Sequence, residues 1–281
     1  MKTTARSAGT VTLGGDLTVN RLGFGAMRLC GEGVWGPPVD EGNALEVLRR
    51  AVQLGVNFVD TAEAYGPEVN ERQISQALYP YPRGLVIATK GGTTRSGPGV
   101  WGRDCRPERI RELCDGSLAR LHAERIDLYQ LHAVDEKVPI EEQIGALADL
   151  KKAGKIRHAG LSNVDLAQLK RAETIMPIVS VQNRYNLGHR LGEDVLDYCE
   201  GRGIVFIPWF PLGAGDVSGM KALESVAPSY NATPHQIAIA WLLKRSPVML
   251  PIPGTKSLQH LEENVAAGDI KLSEEDFTRL G

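Results

Sequence analysis

Long apolar runs, paired cysteines and an excess of charge of either sign are all missing from this 281-residue chain. No stretch approaches the roughly 20 apolar residues needed to span a bilayer. The first ten residues, MKTTARSAGT, carry no apolar leader core, which predicts a cytoplasmic protein. Lysine plus arginine number 32 against 34 acidic residues, for a formal net charge of -2. A nearly balanced chain sets up no global field for nucleic acid or an anionic membrane. The four cysteines (Cys30, Cys105, Cys114 and Cys199) form no C-x-x-C pair and read as reduced thiols. The sequon at Asn231–Thr233 therefore carries no meaning in that compartment. No cluster of histidine, cysteine and carboxylate has metal-ligand spacing, so no metal is expected.

What is present is an alternation. VTLGGDLTVN reads as a β-hairpin turning at Gly14-Gly15-Asp16, followed by a strand over Leu22–Met27. NALEVLRRAVQLGV then places apolar residues at Leu45, Leu48, Ala51, Val52 and Val56, which is helical spacing. NFVD, LVIATK, DLYQLH, IRHAGLSN, IVSVQ, IVFIPW and VMLPIPG read as further strands, with helical segments between them. One helix is opened by Pro107, in the favoured first turn. Neither a low-complexity segment nor a Pro/Gly/Ser-rich linker interrupts the pattern. About eight strand-helix units in one domain spanning 1–281 predict an α/β (β/α)8 barrel with an N-terminal hairpin. The competing arrangement is a doubly wound open sheet. Against it, no G-x-G-x-x-G follows the first strand, since GFGAM lacks the third glycine and the helix start.

In such a barrel the active site lies at the C-terminal ends of the strands. Polar residues fall at that end of five consecutive strands here: Asp60, Thr89-Lys90, His132, Ser162-Asn163 and Gln182-Asn183. Trp209 ends the seventh. Each has an ordinary explanation when taken singly: an aspartate caps a helix, a lysine faces solvent, a histidine satisfies a core. Together, and with Tyr65 one short loop after Asp60, they complement one another chemically. A phenol with an ordinary pKa near 10 needs a neighbouring cation to stabilise its phenolate if it is to give up a proton near neutral pH. Lys90 supplies that cation, Asp60 the counter-charge a buried ammonium requires, and His132 a hydrogen bond that orients a carbonyl. A proton donor aimed at an oxygen that gains charge suits carbonyl reduction by a hydride-carrying cofactor.

The same residues resemble the aldo-keto reductase superfamily along essentially the whole chain. GVNFVDTAEAYG, GKIRHAGLSN and LPIPGTKSLQHLEENV are similar to its three signatures, in order. The resemblance implies that Asp60, Tyr65, Lys90 and His132 form the catalytic tetrad, with Tyr65 as general acid. It implies that Ser162, Asn163 and Gln182 hydrogen-bond the nicotinamide carboxamide and that Trp209 stacks on its ring. Leu212 and Gly213 then border the pyrophosphate, and Glu263 and Asn264 meet the adenine. Two positions depart from the pattern. Gly254 stands where many members carry a lysine for the 2′-phosphate, and His260 where many carry an arginine. Thr255, Lys256 and Ser257 beside a helix N-terminus still make a phosphate site, which favours NADPH over NADH.

GAMRLCGEGVWGPP, ALYPYP, VQNRYN, FPLG and AWLLKRSP look like the bacterial branch that contains pyridoxal reductase. That likeness implies reduction of pyridoxal or another aromatic aldehyde by a monomer with a small carbonyl substrate. Met27, Arg28 and Trp35 are the expected substrate contacts. The loop GGTTRSGPGVWGRDCRP, with Trp101, is either a mobile lid or a long solvated connection. The sequence stops at Gly281, short of the longer tail that members often fold over the substrate mouth, which implies an open pocket. Two other functions compete: a cofactor-sensing regulatory subunit with little turnover, and a barrel isomerase or hydrolase. The latter would want a metal cluster or paired carboxylates at the strand ends, and Asp60 is the single carboxylate at those of the second to sixth strands.

Overall fold

The computed structural model describes residues 4–213 and 220–281. Residues 1–3, part of the N-terminal stretch read for a leader, lie outside the described residues. The hairpin forms as expected, β1 (Thr10–Leu13) pairing antiparallel with β2 (Leu17–Asn20). Gly14 and Gly15 both take positive φ, +59° and +81°, within the three-residue turn Gly14-Gly15-Asp16 that joins the paired Leu13 and Leu17. Leu13, Leu17 and Val19 pack against Phe58, Val86, Leu128 and Val205 near the strand starts, closing that end of the barrel. Burial of Leu13 alone contributes about 2 kcal/mol.

The main sheet is parallel throughout. Its neighbours run from β3 (Phe24–Gly25) through β4 (Phe58–Asp60), β5 (Val86–Gly91), β8 (Ile126–Leu131), β9 (Ile156–Ser162) and β10 (Ile178–Gln182) to β11 (Val205–Phe206). The eighth staves of the barrel come from 248–252. Phe206 N donates to Val248 O at 2.9 Å, Leu250 N to Phe206 O at 2.8 Å, and Gly23 N to Pro251 O at 2.9 Å. Those bonds close the (β/α)8 ring.

Three expected strands come out shorter. The first ends at Gly25 and turns into a 3-10 helix over Ala26–Leu29, whose Ala26 and Leu29 carbonyls accept from Asn70 and Gln73. β11 stops before Pro208, and the eighth is a single bridge between Phe206 and Met249 because Pro251 and Pro253 have no N–H to donate. The helices match their predicted segments closely: α1 (Glu41–Gln53), α2 (Val69–Leu78), α3 (Pro107–Arg120), α4 (Ile140–Lys152), α5 (Leu166–Glu173), α6 (Glu193–Arg202), α8 (Pro234–Arg245) and α9 (Leu258–Ala266). Full capping boxes start α5, with Asp165 and Gln168, and α8, with Thr233 and Gln236. Two short helices were not foreseen, α7 (Lys221–Val226) and α10 (Glu274–Leu280). The Trp101 loop carries secondary structure of its own, a β-hairpin of β6 (Thr93–Gly97) against β7 (Val100–Arg103).

Candidate active site

The strand register brings the polar strand ends into one cluster. Lys90 lies opposite Gln130 across β5 and β8, and Gln182 opposite Ser162 across β9 and β10. Lys90 is fully buried. Its Nζ donates to Asp60 Oδ2 at 2.7 Å, to Thr61 O at 2.8 Å and to Tyr65 Oη at 3.3 Å. Three donors meet three acceptors, so the ammonium is saturated. Asp60 Oδ1 in turn accepts from Gln182 Nε2 at 2.8 Å and from Gln130 Nε2 at 3.3 Å. A buried ion pair is sustained only when its remaining lone pairs are occupied, and here two amides occupy them. Gln130 had not been singled out; a primary amide inside the otherwise apolar run DLYQLH was its signal.

The charge states follow from burial and neighbours. Burial pushes the Tyr65 phenol above its ordinary pKa, with Lys90 pulling it back only in part. Lys90 had been expected to bring the phenol down, and desolvation outweighs it. The phenol therefore carries its proton at neutral pH, as a donor must. For Lys90, burial alone would lower the pKa, but the Asp60 carboxylate and Tyr65 outweigh it and hold the amine above its ordinary value. His132 is held well below the ordinary imidazole value, first by burial, then by the charges of Lys90 and Arg95. It is neutral at pH 7. The His132 and Tyr65 rings meet edge to face at 5.7 Å, and His132 Nδ1 is buried without a partner among the described residues.

Beside this cluster stands a chain of amides and an indole. Asn163, at φ +56°, donates from Nδ2 to His132 O at 2.9 Å and to Ser162 Oγ at 3.1 Å. Ser162 Oγ donates to Gln182 O at 2.8 Å, and Trp209 Nε1 donates to Asn163 Oδ1 at 3.0 Å. Gln182 keeps one amide proton and its carbonyl oxygen for a ligand after its bond to Asp60. Amide groups side by side next to an indole face fit a carboxamide on a flat ring. Farther along, Ser257 caps α9 by accepting from His260 N, and Ser257 N donates to Thr255 Oγ1 at 3.1 Å. Lys256 and His260 are exposed, Glu263 is half-buried and Asn264 is buried. Gly213 has φ +56° and donates to Phe210 O, while Leu212 packs between two core clusters. A side chain at Gly254 would collide with the Gly25 carbonyl, which accounts for the missing lysine. Polar groups thus run from the Lys90 cluster to the start of α9, and a nicotinamide cofactor could be held along them.

The expected substrate contacts divide. Met27 packs on the cluster of Cys30, Ala62 and Tyr65, and Trp35 bridges to Gly66, so both sit at the Tyr65 rim. Arg28 lies elsewhere, with its guanidinium 5.9 Å from the Phe210 ring and its stem against Gly254, on the side of the amide-and-indole path. The hairpin carries Trp101 to the rim, its ring edge-on at 6.4 Å from both Tyr65 and His132. Arg95, which the sequence alone did not mark, stacks 3.6 Å from Trp101. Among the described residues no group of histidine, cysteine and carboxylate side chains could hold a metal, and no helix is long and apolar enough to cross a membrane.

Comparison with known proteins agrees with this geometry. The sequence profile of the Aldo/keto reductase family matches residues 21–281. An uncharacterized oxidoreductase of Schizosaccharomyces pombe is 50% identical over 277 residues, covering 98% of this chain and 90% of that protein. Pyridoxine 4-dehydrogenase of Escherichia coli is 43% identical over 280 residues, covering 98% of each. Among solved structures, an aldo-keto reductase of Klebsiella pneumoniae in complex with NADPH superposes with a TM-score of 0.81 at 26% identity, over 96% of this chain and 93% of that one.

Proposed function

The chain belongs to the aldo/keto reductase family and is an NAD(P)H-dependent oxidoreductase; from that premise we propose that it uses NADPH to reduce aldehydes and ketones to alcohols, with Tyr65 as general acid. The observation that carries the reading is Lys90 Nζ within hydrogen-bond distance of both Asp60 and Tyr65. When bound, the cofactor supplies a hydride to the carbonyl carbon. Tyr65 holds the proton that the carbonyl oxygen takes as it gains charge. Lys90 stabilises the phenolate left behind, and Asp60 keeps Lys90 charged while Gln130 and Gln182 fix Asp60. Neutral His132 orients the carbonyl oxygen.

Ser162, Asn163, Gln182 and Trp209 hold the nicotinamide end. Leu212, Gly213 and Arg28 line the pyrophosphate, with the Arg28 guanidinium supplying charge. Thr255, Lys256 and Ser257 take the 2′-phosphate at the start of α9, and His260, Glu263 and Asn264 border the adenine. Identity with the Escherichia coli pyridoxine 4-dehydrogenase supports pyridoxal, or another aromatic aldehyde, as substrate. Tyr65→Phe removes the proton and keeps the ring. Turnover of NADPH with pyridoxal should fall by at least about 10²-fold while NADPH affinity is kept. Near-normal turnover in that variant rules out Tyr65 as the acid. Tight NADPH binding by the unaltered protein, with no oxidation on any aldehyde, would instead favour a cofactor-sensing role.

A further inference from the structure

Arg95 lies outside the tetrad, yet its side chain is the most fully committed at the rim. A guanidinium has five N–H donors in a fixed fork. All five are used here, each on a main-chain carbonyl. Nε donates to Val100 O at 3.1 Å, Nη1 to Val34 O at 2.8 Å and Ala64 O at 3.0 Å, and Nη2 to Gly33 O at 2.7 Å and Gly97 O at 3.3 Å. The acceptors belong to three separate stretches of chain: the loop 31–36, the segment immediately before Tyr65, and both strands of the β6–β7 hairpin.

The segment before Tyr65 is buried and bonded to β5 through Glu63 N and Lys90 O at 3.2 Å, whereas the other two stretches are poorly held on their own. Two short strands make a hairpin that is marginal in isolation, and Val100–Arg103 is exposed along its length. In the 31–36 loop Val34 adopts φ +55°, a conformation a β-branched residue avoids, directly after Gly33 at φ +66°. Arg95 donates to the carbonyls of both those residues from its fork while stacking its plane on Trp101, with the Trp35 ring 5.7 Å away. Backbone bonds converge on the same point: Gly99 N to Gly33 O at 2.9 Å, and Gly36 N to Gly66 O at 2.8 Å. Since no N–H is left over, Arg95 does not bind a ligand through its donors. It sets where two indoles stand relative to Tyr65 and His132.

We propose that Arg95 is the positioning residue that assembles the substrate mouth, holding Trp101 and Trp35 as an aromatic wall beside Tyr65 that selects flat aromatic aldehydes over small aliphatic ones. The proposal rests on the reductase reading above. Arg95→Lys keeps the charge but offers three donors on a point charge and no plane to stack. Trp101→Ala removes the wall and leaves the five bonds in place, and serves as well if the first variant folds poorly.

The test is amide hydrogen exchange on the full chain together with steady-state kinetics on pyridoxal and propanal. In Arg95→Lys, exchange should quicken about tenfold in all three stretches, 31–36, 62–66 and 93–103, as loss of shared bonds predicts. In both variants KM for pyridoxal should rise about tenfold, with KM for propanal and the NADPH Kd changing less than about twofold, the signature of a lost binding contact rather than a lost chemical step. Exchange that quickens only in 93–103, or equal losses on both aldehydes, overturns the proposal. Should the unaltered protein oxidise NADPH with no aldehyde, the reductase reading fails, and the exchange result alone still decides whether Arg95 joins the three stretches.

Discussion

An unpaired carboxylate inside a protein resists ionising, and Glu63, between Asp60 and Tyr65, is such a group. It is 8% exposed, and burial pushes its pKa up to about 7, with Arg120 offsetting only part of the cost. Arg120 is already engaged by Glu71 at 2.7 Å and Glu68 at 3.1 Å. Because the folded value lies above the unfolded one near 4.5, the native state binds the extra proton. The stability this contributes is fully present below the unfolded value and is lost as pH rises towards 7 and through it. Glu63→Gln stays neutral throughout. The variant should therefore match the unaltered protein near pH 4.5 and exceed it at pH 8, by on the order of 1–3 kcal/mol. Denaturant unfolding at the two pH values checks this, and a difference that does not change with pH would refute it. The sequence offered no sign of Glu63, because its state depends on what covers it. Asp60, Lys90 and His132 were legible by contrast, because each ends an apolar strand run, and Tyr65 because it lies one short loop after Asp60.

At the scale of elements, legibility followed periodicity and capping. Helices with an apolar stripe and a Ser, Thr, Asp or Pro start were read to within a few residues. The β6–β7 hairpin was not, since TTRSG has no apolar side chain and VWGR is exposed throughout, so neither shows an apolar period of two. Helix α10 did carry a signal, with Ser273 accepting from Asp276 N ahead of Glu274, Glu275 and Asp276. It went unread because the apolar positions are few. The start of α9 has the same construction, and its cap Ser257 leaves the free backbone N–H groups and Lys256 facing outwards. If the 2′-phosphate is read there, Lys256→Ala should weaken NADPH about tenfold, the ~1.4 kcal/mol of one charge-assisted bond, and leave NADH nearly unchanged. Titration of each cofactor against the variant is the measurement, and equal weakening of both would place phosphate recognition on another element.

Across the whole molecule the ring of strands is closed between the first and the eighth staves, where Gly25 and Gly254 meet. No ladder is available there, because Pro251 and Pro253 interrupt the donors. The seam combines the Gly23 N–Pro251 O hydrogen bond with close backbone approach. A Cβ on Gly25 would come within 2.7 Å of Ile252 O, and one on Gly254 would strike Gly25 O. Two glycines facing each other thus let the backbones meet beside the Gly23 N–Pro251 O hydrogen bond. They also exclude the lysine that many aldo-keto reductases carry at the second position, so under the proposed cofactor path phosphate charge would come from Arg28 or Lys256. It follows that Gly254→Lys does not restore a family feature. The new Cβ has to push apart two backbones, an overpacking cost of about 1–3 kcal/mol, and the displaced strand end is the one leading into Thr255 and Ser257. The variant should unfold at a lower temperature and bind NADPH no more tightly, despite the added positive charge. Saturating NADPH should recover part of the lost Tm, since a ligand that binds only the folded state shifts the balance by mass action. An unchanged Tm together with tighter NADPH binding would mean that the seam opens freely, and that close glycine packing does not hold the barrel shut.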